Sequence, residues 1–187
     1  MTRDDMRALR TERLRLAPVS LENAEVLWRL LQQPGLREFQ DLPTVDLAQF
    51  RRMVGSRPPR FEAGVWGRFE WLIFFQGIRE AVGWASLRVG ERTAASAEIG
   101  YSVVEAFRGR GIATECVRSI VGEAFDRLQL RKIRAYCLPE NLASRAVLDR
   151  VGFKEDGILA RGATVQGKPV DVIAYVLERE RWMLRPA

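Results

Sequence analysis

The chain has 187 residues, 47% hydrophobic and 29% charged, with a formal net charge of +6. That length suits one well-buried domain and is short for two. The absence of histidine excludes a His-based triad, a His general base and His metal ligands, and the two cysteines, Cys116 and Cys137, lack C-x-x-C spacing, so no metal is expected.

The basic balance favours acidic ligands such as phosphorylated cofactors, ribosomes or nucleic acid. The arginines are scattered, however, and a solvated basic surface explains them equally. No apolar run approaches the roughly 18 residues of a membrane helix. Residues 1–7 carry early acids and no apolar core, unlike a secretory signal. A cytoplasmic location without a membrane partner is the expectation.

Polar–apolar alternation over residues 11–18 predicts a first strand closed by Pro18. Ser20 is expected to cap a helix burying Ala24, Leu27, Trp28 and Leu31, stopped by Pro34-Gly35. A second helix is predicted over residues 44–54, with Val45, Leu47, Phe50 and Met53 to bury, followed by a proline-rich loop at 56–60. Strands are predicted over 68–76 and 81–89, joined by a turn near Gly77. Trp71, Ile73 and Phe75 alternate with Leu72 and Phe74, so the first of these is expected to be covered on both faces.

Residues 97–104 read as the next strand. Ile112, Cys116, Val117, Ile120, Val121, Ala124, Phe125 and Leu128 then recur at helical spacing, which places Cys116 in the core. Residues 132–138 predict a strand ending near Cys137, expected to be packed. Asn141 caps a short helix with Gly152 as its C-terminal glycine. A segment 153–161, a turn near Gln166-Gly167 and a strand over 170–177 close the chain. No repeat, low-complexity tract or linker interrupts this α/β pattern.

Between strand and helix lies Arg108-Gly109-Arg110-Gly111-Ile112-Ala113. A glycine-punctuated basic turn exposes backbone N–H groups at the positive end of a helix dipole, which suits an anion and especially a phosphate. An ordinary βα turn with two solvated arginines has the same sequence features.

Three patterns now stand in order: Glu98-Ile99-Gly100-Tyr101, the 108–113 turn, and Asn141-Leu142-Ala143-Ser144 running on to Gly152-Phe153. Together they resemble the GNAT superfamily of N-acetyltransferases, whose phosphate loop is R/Q-x-x-G-x-G/A, matched at Arg108, Gly111 and Ala113. Thr11-Glu12-Arg13-Leu14-Arg15-Leu16 followed by a helix resembles more narrowly the RimJ/RimL branch, which acetylates N-terminal amines of ribosomal proteins. The resemblance implies a single GNAT-like domain over residues 1–187, with its core at about 11–178. It implies a mixed, mostly antiparallel sheet of six to seven strands and about four flanking helices. Backbone amides of Arg108, Gly109, Arg110, Gly111, Ile112 and Ala113 would cradle the pyrophosphate of acetyl-CoA. Main-chain groups near Val103 and Val104 would pair with its pantetheine arm where two strands splay, and Asn141 would bind that arm while capping its helix. A homodimer is also implied.

Acetyl transfer needs a neutral amine. An N-terminal amine with a pKa near ~7.7–8.0 is roughly a tenth neutral at pH 7, and a lysine near ~10.4 only a few times in ten thousand. A base still helps, and without histidine a carboxylate is the natural choice. The resemblance points to Glu98, which an edge salt bridge would explain as well. Relatives often carry an acidic tyrosine on the helix after the asparagine; this helix has none. Ser144 takes the acid role by analogy, or binds CoA, or caps the helix. Tyr101 and Tyr136 lie elsewhere in the sequence. Acceptor specificity is expected from residues 36–44 and 161–168, with Glu38 and Asp41 available to a cationic amine.

The expected activity is thus an acyl-CoA-dependent N-acyltransferase that moves an acetyl group to a primary amine, first of all a protein N-terminal α-amine. Small-molecule amines (an aminoglycoside, polyamine or amino acid), another acyl-CoA, a non-catalytic CoA-binding or ribosome-associated module, and a basic nucleic-acid binder stay open at this point.

Overall fold

The computed structural model describes residues 8–40, 42, 44–90 and 95–185. Its elements run β1 (Leu9–Arg10), β2 (Leu14–Pro18), α1 (Ala24–Leu31), α2 (Pro34–Arg37), α3 (Leu47–Gly55), β3 (Gly67–Phe75), β4 (Ala81–Val89) and β5 (Ser96–Val103). A 3-10 turn at Glu105–Phe107 leads into α4 (Ile112–Leu128), β6 (Lys132–Cys137), α5 (Leu142–Val151), β7 (Lys154–Val165), β8 (Lys168–Glu178) and α6 (Arg179–Met183).

The eight strands form one sheet in the order β1-β2-β3-β4-β5-β6-β8-β7. Every pair is antiparallel except β5 and β6. Among the described residues, six helices and eight strands exceed the expected four and six to seven. The additions are β1, α2 and α6, each five residues or fewer, too short to leave a periodic signature. Helix α1 ends at Leu31, ahead of Pro34-Gly35 as expected, but a further helical turn begins there. Pro34 takes the first position of α2, where its missing N–H costs nothing. The strand expected from residue 11 starts at Leu14, because Thr11 turns the chain, its hydroxyl accepting from the Leu14 N–H at 2.9 Å. Asn23, not Ser20, holds the N-cap position of α1.

Side chains alternate across a strand, so β3 and β4 feed two cores. Phe69, Trp71 and Ile73 of β3 face α4 and α5, joining Cys116, Ile120, Phe125 and Leu148. Leu72 of β3 and Trp84 of β4 face the other way, against Leu27 and Leu31 of α1 and Phe50 of α3. Helix α3 starts from a capping box, with the Asp46 carboxylate on the Gln49 N–H at 2.7 Å. Met53, expected to be buried, is exposed on that helix.

The second core contains a charge. Glu70 is 4% exposed. Its carboxylate accepts from Trp84 Nε1 at 3.0 Å and pairs with Arg57, with Arg68 Nε at 3.5 Å. Burial draws the Arg57 guanidinium below its usual range, and Glu70 opposes that shift. Removing one partner of such a pair leaves the other buried and uncompensated. Glu70→Ala is therefore expected to lower stability by about 3–5 kcal/mol, read as a lower urea midpoint with an unchanged m-value.

Candidate active site

Strand β5 pairs with β4 along its whole length, from Ala97↔Val89 to Val103↔Gly83. Its parallel pairing with β6 covers only Ser96↔Lys132, Ala97↔Ile133 and Glu98↔Arg134. Beyond Glu98 the two strands part, as β6 follows β8 through to Cys137↔Ile173. The gap opens into a cavity of about 330 Å³. Its walls are Ile99 to Val103 of β5, Ala135 to Cys137 of β6, the start of α4, and Asn141, Ser144 and Val147 at α5. Gly35, Leu36, Phe39 and Gln40 close one end.

The turn before α4 supplies the cavity's backbone-rich wall. Gly109 and Gly111 hold φ of 74° and 77°, a left-handed conformation that costs glycine little. Gly111 is the N-cap residue of a 17-residue helix, so unpaired N–H groups and the positive dipole end lie beside the cavity. Arg108 does not offer its guanidinium to that space. It donates from Nε to the Val103 carbonyl at 3.1 Å and from Nη2 to the Gly35 carbonyl at 2.6 Å, with Glu38 at 3.6 Å. Arg110 lies outside the lining, its guanidinium over the Phe107 ring.

At the far end, Asn141 caps α5 by accepting from the Ser144 N–H at 3.0 Å. Tyr101 Oη lies 3.0 Å from Ser144 Oγ and donates to the Ser144 carbonyl at 3.2 Å. Burial pushes the Tyr101 phenol far above its ordinary range, so it stays protonated at neutral pH. Cys137 lines the same end, and burial pushes its thiol up to about 11. Cys116 is fully buried in the core, as its position on the helical stripe implied.

Of the residues singled out by sequence, Val103, Arg108, Gly109, Gly111, Ile112, Ala113, Asn141 and Ser144 line this one cavity. Val104 and Arg110 do not; the Val104 N–H is spent on the Val82 carbonyl at 2.9 Å. Glu98 stands apart from the lining, paired with Arg88 directly across the β4–β5 ladder at 2.5 Å. Its side chain shares the face of Gly100 and Ser102, which do line the cavity, whereas Tyr101 points to the opposite face. Gln40 Nε2 donates to Ser102 Oγ on that first face at 3.1 Å. Asp41 lies outside the described residues. Tyr101 and Gln40 carry no local sequence signal as site residues, since each meets its partner across at least 43 positions.

Residues 13–154 match the family described as the acetyltransferase (GNAT) domain. The chain belongs to the GNAT acetyltransferases. It is 30% identical over 177 residues to the uncharacterised N-acetyltransferase p20 of Bacillus licheniformis, covering 94% of this chain and 98% of p20. Its fold superposes on a RimL ribosomal alpha-N-protein acetyltransferase in complex with coenzyme A, with a TM-score of 0.76 at 23% identity, covering 91% and 97% of the two chains. Mycobacterium smegmatis RimJ in complex with CoA-disulfide superposes with a TM-score of 0.74 at 27% identity, covering 93% and 85%. This GNAT enzyme is an acetyl-CoA-dependent N-acetyltransferase. Among its described residues no group of three or more Cys, Asp or Glu is placed to hold a metal ion, and no helix is long and apolar enough to cross a membrane.

One carboxylate braces the site from outside. Glu115, in the first turn of α4, accepts from Thr11 Oγ1, the Arg13 N–H at 3.1 Å and Arg13 Nε at 2.8 Å. Burial favours its neutral form, but the Thr11 and Arg13 donors outweigh it and hold its pKa below the ordinary carboxylate range. Between its folded and unfolded pKa values the unfolded chain binds the extra proton, so stability rises with pH there. The contribution is complete above about pH 4.3, the unfolded value, and is lost as pH falls through the folded one. Glu115→Gln is expected to flatten the acid limb of a stability–pH curve below about pH 4.3 and to leave its neutral limb parallel to wild type.

Proposed function

We propose that the acceptor of this N-acetyltransferase is a protein N-terminal α-amine, received in a cytoplasmic setting. The observation that carries this reading is the composition of the cavity: among the described residues its lining holds no Asp and no Glu, and the chain has no histidine. An amine entering there meets no adjacent strong base. An α-amine, roughly a tenth neutral at pH 7, tolerates that environment; a lysine, neutral only a few times in ten thousand, does not. The names of the RimL and RimJ neighbours point the same way.

In this reading the amides at Gly109, Gly111, Ile112 and Ala113 seat the donor's pyrophosphate, and Ile99 to Val103 offer their open edge to its pantetheine arm. Bound acetyl-CoA supplies a thioester that the amine attacks: a C–N bond forms, the C–S bond breaks, the amine loses a proton and the sulfur gains one. Tyr101 and Ser144 stand on the face of β5 toward α4 and α5 and donate to the departing sulfur. Glu98 lies on the opposite face, about 7 Å along the strand from Gly100, and takes the amine proton through water. Positioning supplies much of the acceleration.

Peptides with a free N-terminus, peptides with a blocked N-terminus and an internal lysine, and small amines are incubated with acetyl-CoA and weighed by mass spectrometry. A 42-Da gain, the mass of one acetyl group, on the free α-amine alone is expected; transfer to lysine or only to small amines overturns the reading. Tyr101→Phe is expected to lower kcat by about 10²–10⁴-fold, with the acetyl-CoA KM unchanged. Glu98→Gln is expected to lower kcat/KM for the amine most at low pH; an undiminished rate removes Glu98 from the proposal.

A further inference from the structure

The 108–113 turn is held from a part of the chain nearly a hundred residues away. Arg13 closes the turn between β1 and β2. Its guanidinium meets Glu115 with Nε at 2.8 Å and Nη2 at 2.6 Å, and donates from Nη1 to the Arg110 carbonyl at 3.1 Å. A Cβ added at Gly111 would sit 3.3 Å from Arg13 Nη2, so the guanidinium lies directly behind the turn. The clamp is itself braced. The Arg13 carbonyl accepts from the Gln76 N–H at 2.9 Å, and Thr11 hydrogen-bonds Glu115 alongside it.

The Arg110 carbonyl and the Gly111 N–H belong to one planar peptide unit. No peptide bond in the described residues is cis, and in a trans unit the two groups point in opposite directions. Arg13 pulls the carbonyl away from the cavity, since neither Arg13 nor Arg110 lines it while Gly111 does. The Gly111 N–H is thereby turned toward the cavity before any ligand arrives. The same guanidinium offsets the Glu115 charge, which otherwise stands in the first turn of the helix that faces the ligand.

We propose that Arg13 is a positioning residue for donor binding: it fixes the orientation of the 110–111 peptide unit so that the Gly111 N–H is aimed at the diphosphate of acetyl-CoA. Arg13 touches no part of the donor and acts through the Arg110 carbonyl. This rests on the reading that the 108–113 turn seats that diphosphate. An arginine is required because one planar fork spans both a carboxylate and a carbonyl; a lysine ammonium, at the end of a single flexible stem, meets one or the other.

The test compares two donors, acetyl-CoA and S-acetylpantetheine, which carries the same thioester but no diphosphate. For Arg13→Ala the acetyl-CoA KM is expected to rise about 10- to 100-fold, the worth of one hydrogen bond to a charged group. The kcat at saturation and the kcat/KM for S-acetylpantetheine should stay at wild-type values. A general loosening of the fold would instead depress both donors alike, and that result overturns the proposal, as does an unchanged acetyl-CoA KM. Arg13→Lys, which keeps the charge beside Glu115, should show the same donor-selective loss and serves where the alanine variant does not fold. In the double variant Arg13→Ala/Glu115→Gln the KM should stay high, because the carbonyl is still unheld. A return to the wild-type KM would show that charge repulsion alone was at work and would overturn the positioning role. If wild type itself uses both donors with equal kcat/KM, the seat assignment fails and takes the proposal with it.

Discussion

The parting of β5 from β6 after three paired residues is the constraint from which the rest of the site follows. Each strand is fully committed on its other side, β5 to β4 and β6 to β8, so neither can bend back to close the gap. A half-unpaired edge inside a sheet is costly, because buried backbone N–H and C=O groups need partners. Such an edge is also what a peptide-like ligand arm can complete as an added strand. In the proposed reading, the interruption in the sheet and the seat for the pantetheine arm are therefore two descriptions of one feature. Strand alternation does the rest: Tyr101 goes to one face of the opening and Ser102 to the other.

The basic residues around this opening act as staples rather than as direct counter-charges. Arg108 joins the end of β5 to the Gly35 carbonyl, closing the cavity's rim. Arg13 joins the β1–β2 turn to α4 and to the Arg110 carbonyl. In both cases a guanidinium holds backbone carbonyls from outside, which leaves backbone amides to meet an anion. A fork of donors on a carbonyl fixes direction, whereas a free ammonium beside a phosphate would fix only charge. The net charge of +6 thus says less about affinity for phosphate than the two glycines do.

What was legible in the sequence was what repeats locally. Six strands and four helices followed from period and punctuation, and the caps of α5 at Asn141 and Gly152 could be read because they are set within a few residues. β1, α2 and α6 were not legible, being too short to show a repeat. Eight of the cavity-lining residues followed from family motifs. Glu98 shows where that reasoning thins out: its motif was clear, but its register opposite Arg88 is a property of two strands together. Tyr101 shows the converse. The helix after Asn141 carries no tyrosine, yet a tyrosine hydroxyl reaches Ser144 of that helix from β5, 43 residues earlier. The sequence shows which residue is missing from a position, and only the fold shows which one stands near it in space.

The absence of histidine then ceases to be a puzzle. In amide formation from a thioester, one proton must leave nitrogen and one must reach sulfur. A histidine serves such enzymes well when a single group has to do both, since its pKa lies between the two tasks. Here, in the proposed reading, the parted sheet separates them. The face of Glu98 and Ser102 receives the amine, and the face of Tyr101 and Ser144 receives the sulfur. Each side has its own group: a carboxylate paired with Arg88, and a phenol that burial holds protonated. The phenol does not have to cycle near neutrality for the carboxylate side to act. The demand on pKa matching therefore passes from the enzyme to the acceptor, and an α-amine is the common biological amine whose own pKa comes near to meeting it.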